Sequence, residues 1–348
     1  MKNKFKGKRV FNPSYICRAI LVISLLSFIT LLNPDNTLLA QSHNASAYDH
    51  LTNPKTQKPH ILAITAPENM GRATGSSGAA DVQRYIETKF EEYGIEKRGI
   101  LYDQQFKIEV KSEKKGHMPA PPRTITGHNI LGEIKATNKS REYIIIGAHY
   151  DHLGEIKGKV YPGADDNASG VTALLELARM FSKMKEDGKE IGANLLFVAF
   201  DGKEQSLAGS HHFVKMLRIH NGNIRCMINI DQIGSTLAPP HKDKNYLLVL
   251  GRDSLSTWAS TQLDLCNKVG GINLDIDYTF YNSKNFYDIF YRLSDHHPFV
   301  ERGIPSLFFT SGITNNTYKE TDTEATISYP VLTKRIRLIF HFIYHLME

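Results

Sequence analysis

Four short runs of nearly unbroken apolar residues constrain this chain most: IIIGA at 144–148, LLFVAF at 195–200, MINI at 227–230 and YLLVL at 246–250. A strand that is apolar at every position is covered on both faces, whereas a strand facing water alternates. Between and after these runs the apolar spacing turns helical, which predicts helices over 168–183, 206–218, 255–269 and 329–347. A further amphipathic helix is predicted over 76–94, where Val82, Tyr85, Ile86, Phe90 and Tyr93 share one face and Gly94 ends it. Buried strands alternating with amphipathic helices predict a three-layer α/β/α sandwich around a central mixed, largely parallel sheet.

The apolar runs end in polar residues of one chemical kind. His149 and Asp151 follow the first, Asp201 and Glu204 the second, and Asp231 the third, while Asp165 and Asp166 open the helix at 168. In such sheets ligands bind outside the carboxyl ends of the strands. Several carboxylates gathered at one edge repel each other unless a cation sits among them. Neutral imidazole and carboxylate oxygen are the usual protein ligands of zinc besides thiolate. The strand ends therefore point to a divalent metal site.

Charge and composition narrow the class. With 41% hydrophobic and 22% charged residues the 348-residue chain is globular in composition. Its formal charge of +6 is concentrated at the start, where Lys2, Lys4, Lys6, Lys8, Arg9 and Arg18 outnumber Asp35 within residues 1–40. The remainder is nearly neutral, so charge gives no support to nucleic-acid binding. A basic start, the apolar run AILVISLLSFITLL and Ala40 have the pattern of a secretory signal, shorter than a bilayer span. This predicts a signal peptide over 1–40, a flexible polar arm over 41–58, and one domain over 59–348. The mature protein is expected in the periplasm or secreted, with no membrane contact. Cys226 and Cys266 read as two buried thiols.

Six motifs in order, AHYDHLG, PGADDNASGV, FVAFDGKEQSLAGS, MINIDQIGS, SDHHPF and TYKETDT, resemble metallopeptidase family 28. This family of zinc exopeptidases includes bacterial leucyl aminopeptidases, with glutaminyl cyclases as relatives. The resemblance implies His149 as a zinc ligand, with the Asp151 carboxylate orienting its ring. It implies Asp165 as the bridge between two metals, with a cis peptide bond to Asp166. It further implies Asp231 as the third ligand of the first metal and Glu204 as a ligand of the second. Asp295 and His296 fall in the family's cleft segment.

Two positions depart from that pattern. Lys203 stands where the family carries its general-base Glu, and Tyr318 stands where it carries the last imidazole of the second metal. The first metal set is complete and the second is not, so one zinc ion is expected more than two. The resemblance implies an aminopeptidase-type hydrolase acting on peptides, with activity weakened by the loss of the base. The alternative is an inactive relative that binds peptides or a protein partner through the retained cleft. Glutaminyl cyclase activity is disfavoured, because the lost imidazole belongs to the zinc set those enzymes keep. An ammonium at Lys203 is expected to replace the second cation by pairing with Asp165 and Glu204. His152, His211, His212 and His296, taken singly, read as surface or structural histidines.

Overall fold

The computed structural model describes residues 44–110, 123–238 and 243–347. The expected signal peptide lies outside them. Ala45–Glu348 forms one compact unit. From residue 44 on, the stretch expected to be a flexible arm is anchored. Helix α1 (Pro54–Ile64) begins inside it, with Pro54 at its first position and the Asn53 side chain accepting from the Lys55 amide. Ala45, Thr52 and Gln57 are buried, and the Gln57 Nε2 donates to Thr333 in the last helix at 2.9 Å. The polar sequence concealed this because its buried positions are satisfied by side-chain hydrogen bonds and leave no apolar stripe to read.

Helix α2 (Ser77–Glu92) follows, capped by Ser76 accepting from the Ala79 amide. Then come strands β1 (Glu96–Lys97), β2 (Asp103–Val110), β3 (Arg123–Ile134) and β4 (Tyr143–His149), and the small hairpin β5 (Gly154–Ile156) and β6 (Lys159–Tyr161). Helix α3 (Gly170–Glu186), β7 (Asn194–Phe200), α4 (Ala208–Met216), β8 (Ile224–Ile230), β9 (Tyr246–Leu250) and α5 (Thr257–Val269) alternate after it. The chain closes with β10 (Asp275–Asp277), α6 (Lys284–Phe290), α7 (His297–Glu301), β11 (Ser306–Thr310) and α8 (Tyr329–Leu346).

Among the described residues nine strands form one sheet in the order β1-β3-β7-β4-β8-β11-β9-β10, with β2 paired to β3. The four central strands β7, β4, β8 and β11 are parallel, while β3 runs antiparallel to β7 at one side of this group and β9 antiparallel to β11 at the other. Both faces are covered, as the apolar runs require. Ile144 and Ile146 enter a core shared with α3 and α8, whereas Ile145 enters a second core with Phe213 and Phe299. The parallel register pairs His149 with Phe200 and Ile230 with Phe309, so the residues after β4, β7 and β8 emerge at one edge. Cys226 and Cys266 are buried thiols, as expected.

Candidate metal centre

His149 is the last residue of β4 and Asp231 the first after β8. Adjacent parallel strands therefore deliver His149 Nε2 to 3.2 Å from Asp231 Oδ1. The third partner arrives on the bend between β6 and α3. There Gly163 has a φ of 59°, and a Cβ at this position would run into the Asp166 carbonyl oxygen and the His152 ring. The bend places Asp166 Oδ1 at 3.4 Å from His149 Nε2.

This is one residue later than the motif led us to expect. Asp165 does not face the cluster; one of its oxygens accepts from the amides of Gly234 and Ser235 at 2.7 and 2.9 Å. The cis peptide likewise lies at Asp166–Asn167 and not at Asp165–Asp166. The physical reason is the company each carboxylate keeps. Asp165 ties the bend to the loop after β8 through Oδ1 and leaves only Oδ2 unpartnered, while neither oxygen of Asp166 has a hydrogen-bond partner although the side chain is buried. A buried carboxylate without a donor is costly unless a cation completes it.

Residues far apart in sequence hold the bend. The Asp322 carboxylate accepts from the amides of Asp165 and Asp166 at 2.9 and 3.0 Å. Arg72, fully buried, donates to the carbonyls of Tyr150 at 2.7 Å, Gly163 at 2.7 Å and Asp166 at 3.2 Å, and also to that of Pro162. Burial pushes its pKa down to about 10, which leaves it charged at neutral pH. The Asn167 side chain bonds to Ile230, Gly170 and Gln232. Asp231 is fixed in turn, its Oδ2 accepting from Ser294 at 2.6 Å, and Ser294 accepting from Asn229 at 2.7 Å.

The second expected carboxylate role also shifts. His149 Nδ1 lies 3.0 Å from the main-chain carbonyl of Asp151 and 3.7 Å from its carboxylate, so the carbonyl is the nearer orienting group. The Asp151 carboxylate instead accepts from the amides of Lys203 and Glu204, both at 3.0 Å. It thereby fixes the loop after β7.

Among the described residues two donor sets come within ion-binding reach, His149 with Asp166 and Asp231, and His152 with Asp166 and Glu204. The first set fits a single zinc ion: one imidazole nitrogen, carboxylate oxygens, and the unpartnered Asp166. The second set meets an obstacle. Lys203 Nζ lies 2.8 Å from Glu204 Oε1, 3.0 Å from Tyr318 Oη and 3.7 Å from Asp166 Oδ1. An ammonium already stands beside the two carboxylates that a second cation would use. The expected partner Asp165 is replaced here by Asp166, for the reason just given.

His152 was read as structural, yet it is buried with neither ring nitrogen hydrogen-bonded, 4.0 Å from Asp166 and stacked on Tyr318 at 6.1 Å. Burial lowers its pKa to about 3, so the ring is neutral. No sequence signal separated it from other histidines. Asp295 and His296 do not line the cleft. Both are buried, and His296 packs between Tyr291 and Phe308 with ring centroids 4.7 and 4.8 Å away. Ser294 of that segment reaches the cluster through its bond to Asp231.

The electrostatics follow from this packing. Burial works against the Lys203 charge, but Asp166, Asp231 and Glu204 outweigh it and hold its pKa well above the usual lysine value. Burial opposes the Asp166 carboxylate too, and Lys203 and His149 overcome it, so its pKa is lowered. Lys203 is thus a cation, as expected, at the position where the family pattern has a proton acceptor.

The signature of Peptidase family M28 matches residues 129–343 of this chain. Aminopeptidase YwaD of Bacillus subtilis is 31% identical over 191 residues, 54% of this chain and 36% of its own length. A probable zinc metalloprotease of Pyrenophora teres f. teres is 34% identical over 113 residues, 31% of this chain and 23% of its own. The matched stretches thus span well under two thirds of these relatives. Among solved structures, an aminopeptidase from Aneurinibacillus sp. strain AM-1 shares the fold with a TM-score of 0.65 and 19% identity, over 85% of this chain and 95% of that one. With the family signature running from β3 to α8 through every strand end described above, the chain belongs to Peptidase family M28.

Proposed function

We propose that this protein is an exported, zinc-dependent peptidase of the aminopeptidase type that works with one metal ion and with reduced activity. The family supplies the reaction class, and the amino-terminal signal pattern motivates export to the periplasm or beyond. The observation that carries the reduced activity is the Lys203 ammonium held between Glu204 and Tyr318.

His149, Asp166 and Asp231 would hold the ion. Zinc in such a set supplies a Lewis acid and lowers the pKa of water toward 7. Asp151, through its carbonyl, keeps the His149 tautomer that leaves Nε2 facing the cluster. Ser294 keeps the Asp231 Oδ1 edge turned to His149. The general-base position is the missing part. Lys203, charged and hydrogen-bonded, has no lone pair to take a proton, and Glu204 is neutralised by it. A positioned base contributes roughly 100- to 10,000-fold, which sets the size of the loss. The same contacts favour a second reading, a peptide-binding relative without turnover.

One preparation decides between them. Wild type is expected to hold one zinc ion per chain and to cleave leucine p-nitroanilide slowly, with the Lys203→Glu, Tyr318→His double variant faster by a factor within that range. Two tightly bound ions in wild type, or equal rates, would overturn the one-metal reading. Turnover absent from both proteins would favour the binder.

A further inference from the structure

Beside the cluster opens a cleft enclosing about 510 Å³, part of it open to solvent. The buried side chains of Lys203 and Asp231 mark its inner end, and Phe290, Leu293, Phe308 and Ile313 belong to its apolar wall. The apolar surface does not stop at the cleft. On α6 and the turn after it, Phe286, Ile289, Phe290 and Leu293 recur at helical spacing and form one stripe. Phe290 and Leu293 line the cleft, and Phe286 continues it outward, its ring stacked on Phe290 with centroids 6.0 Å apart.

A stripe of this kind ordinarily faces a core. Here other residues tie the helix to the body. Tyr287 and Tyr291 pack against the core under β9 and β11, the Tyr287 hydroxyl accepting from the Gly251 amide at 2.9 Å and the Tyr291 hydroxyl donating to the Ser306 carbonyl at 2.7 Å. Phe286, Ile289 and Leu293 stay outside that core, 51, 54 and 54% exposed. Single exposed apolar residues are ordinary, but a contiguous stripe that leads out of a cleft marks an interaction site.

Continuity with the cleft says what covers it. A peptide whose first side chain occupies the cleft beside the cluster leads the rest of its chain out through the mouth, where Leu293 stands. An extended chain advances about 3.3–3.6 Å per residue, and the seven positions from Phe286 to Leu293 cover about 10 Å of helix. The one or two residues after the cleaved bond therefore come within reach of the stripe. We infer that Phe286, Ile289 and Leu293 form a second binding surface, for an apolar side chain that follows the cleaved bond. This rests on the peptidase reading of the same site and names its substrate class: peptides with an apolar residue in second place.

The test uses two ligands that cannot be cleaved, leucyl-phenylalaninamide and leucyl-glycinamide, each with the bond between its two residues reduced to CH2–NH. Both are titrated by calorimetry into zinc-loaded protein. The phenylalanine ligand is expected to bind about tenfold tighter, the order of effect that partial burial of one phenyl ring brings. In the Phe286→Ser, Ile289→Ser double variant the gap should fall below threefold, and in Phe286→Leu, Ile289→Leu, which keeps the stripe apolar, it should persist. Equal binding of the two ligands to wild type, a gap that survives the serine variant, or no binding of either ligand would overturn the inference. A wild-type dimer in sedimentation that the serine variant loses would give the face to a second copy and overturn it as well. Zinc content and p-nitroanilide turnover decide the peptidase reading separately: a protein without turnover can still show the gap, and an active one can lack it.

Discussion

Replacing Lys203 by alanine removes the ammonium that pairs with Glu204 and Asp166. At the observed separations of 2.8 and 3.7 Å, and an effective dielectric of about 20, the two attractions amount to about 6 and 4 kcal/mol before desolvation is subtracted. Desolvation of three buried groups takes back most of this, and breaking a buried pair from one side costs about 3–5 kcal/mol. We expect metal-free Lys203→Ala to lose stability of that size in urea unfolding. Zinc should act differently on the two proteins. In wild type the ammonium should hold the second donor set closed, so that one ion binds. In Lys203→Ala the carboxylates of Asp166 and Glu204, with the neutral His152 ring, become available, and the ion count should rise to two. An ion at 100 times its dissociation constant adds about 2.7 kcal/mol, so zinc should recover most of the lost stability. A metal-free variant as stable as wild type would refute the pairing argument. A count that stays at one would refute the view that Lys203 occupies the second position.

Two further predictions concern single carboxylates. Asp166→Asn should weaken zinc binding at least 100-fold in competition with a chromogenic chelator, whereas Asp165→Asn should leave zinc affinity within tenfold and lower the unfolding midpoint, because Asp165 braces the loop at Gly234 and Ser235. Equal zinc losses would place both residues in the ligand set. Asp295 is fully buried, and desolvation raises its pKa from 3.8 to about 7. Its folded pKa lies above the unfolded one, so its contribution to stability is fully present below about pH 4 and is lost as pH rises through 7, a swing of about 4 kcal/mol at most. Asp295→Asn, which cannot ionise, should therefore gain on wild type in melting temperature between pH 5 and pH 8. A constant difference across that range would show that Asp295 does not titrate there.

What the sequence revealed of the site follows from periodicity. His149 ends a buried strand and Asp231 and Glu204 follow two others, and a parallel sheet brings such strand ends to one edge, so they could be read directly. Lys203 and Tyr318 were visible as departures because their neighbours kept the family pattern. The register of the bend was not visible. In a run of two aspartates nothing in the sequence states which one faces the cluster, and the answer lies in the amides of Gly234 and Ser235, nearly 70 positions away. Arg72 was invisible for a related reason: its acceptors are main-chain carbonyls, which every residue carries. The first helix went unread because Gln57 meets Thr333 and not an apolar neighbour. Elements set by apolar spacing were legible, and contacts made through main-chain atoms or single polar side chains were not.

The place of Arg72 in the chain has a consequence for assembly. It lies before the stretch that carries the family signature, yet it clamps the loop that presents Asp166. A fragment trimmed to residues 129–343 would contain His149, Asp166, Asp231, Glu204 and His152, the members of both candidate donor sets, and would lack the guanidinium that clamps the bend carrying Asp166. The means of holding a metal at this edge of the sheet would therefore be distributed over two parts of the chain, a donor-bearing segment and an upstream keystone that offers no donor itself.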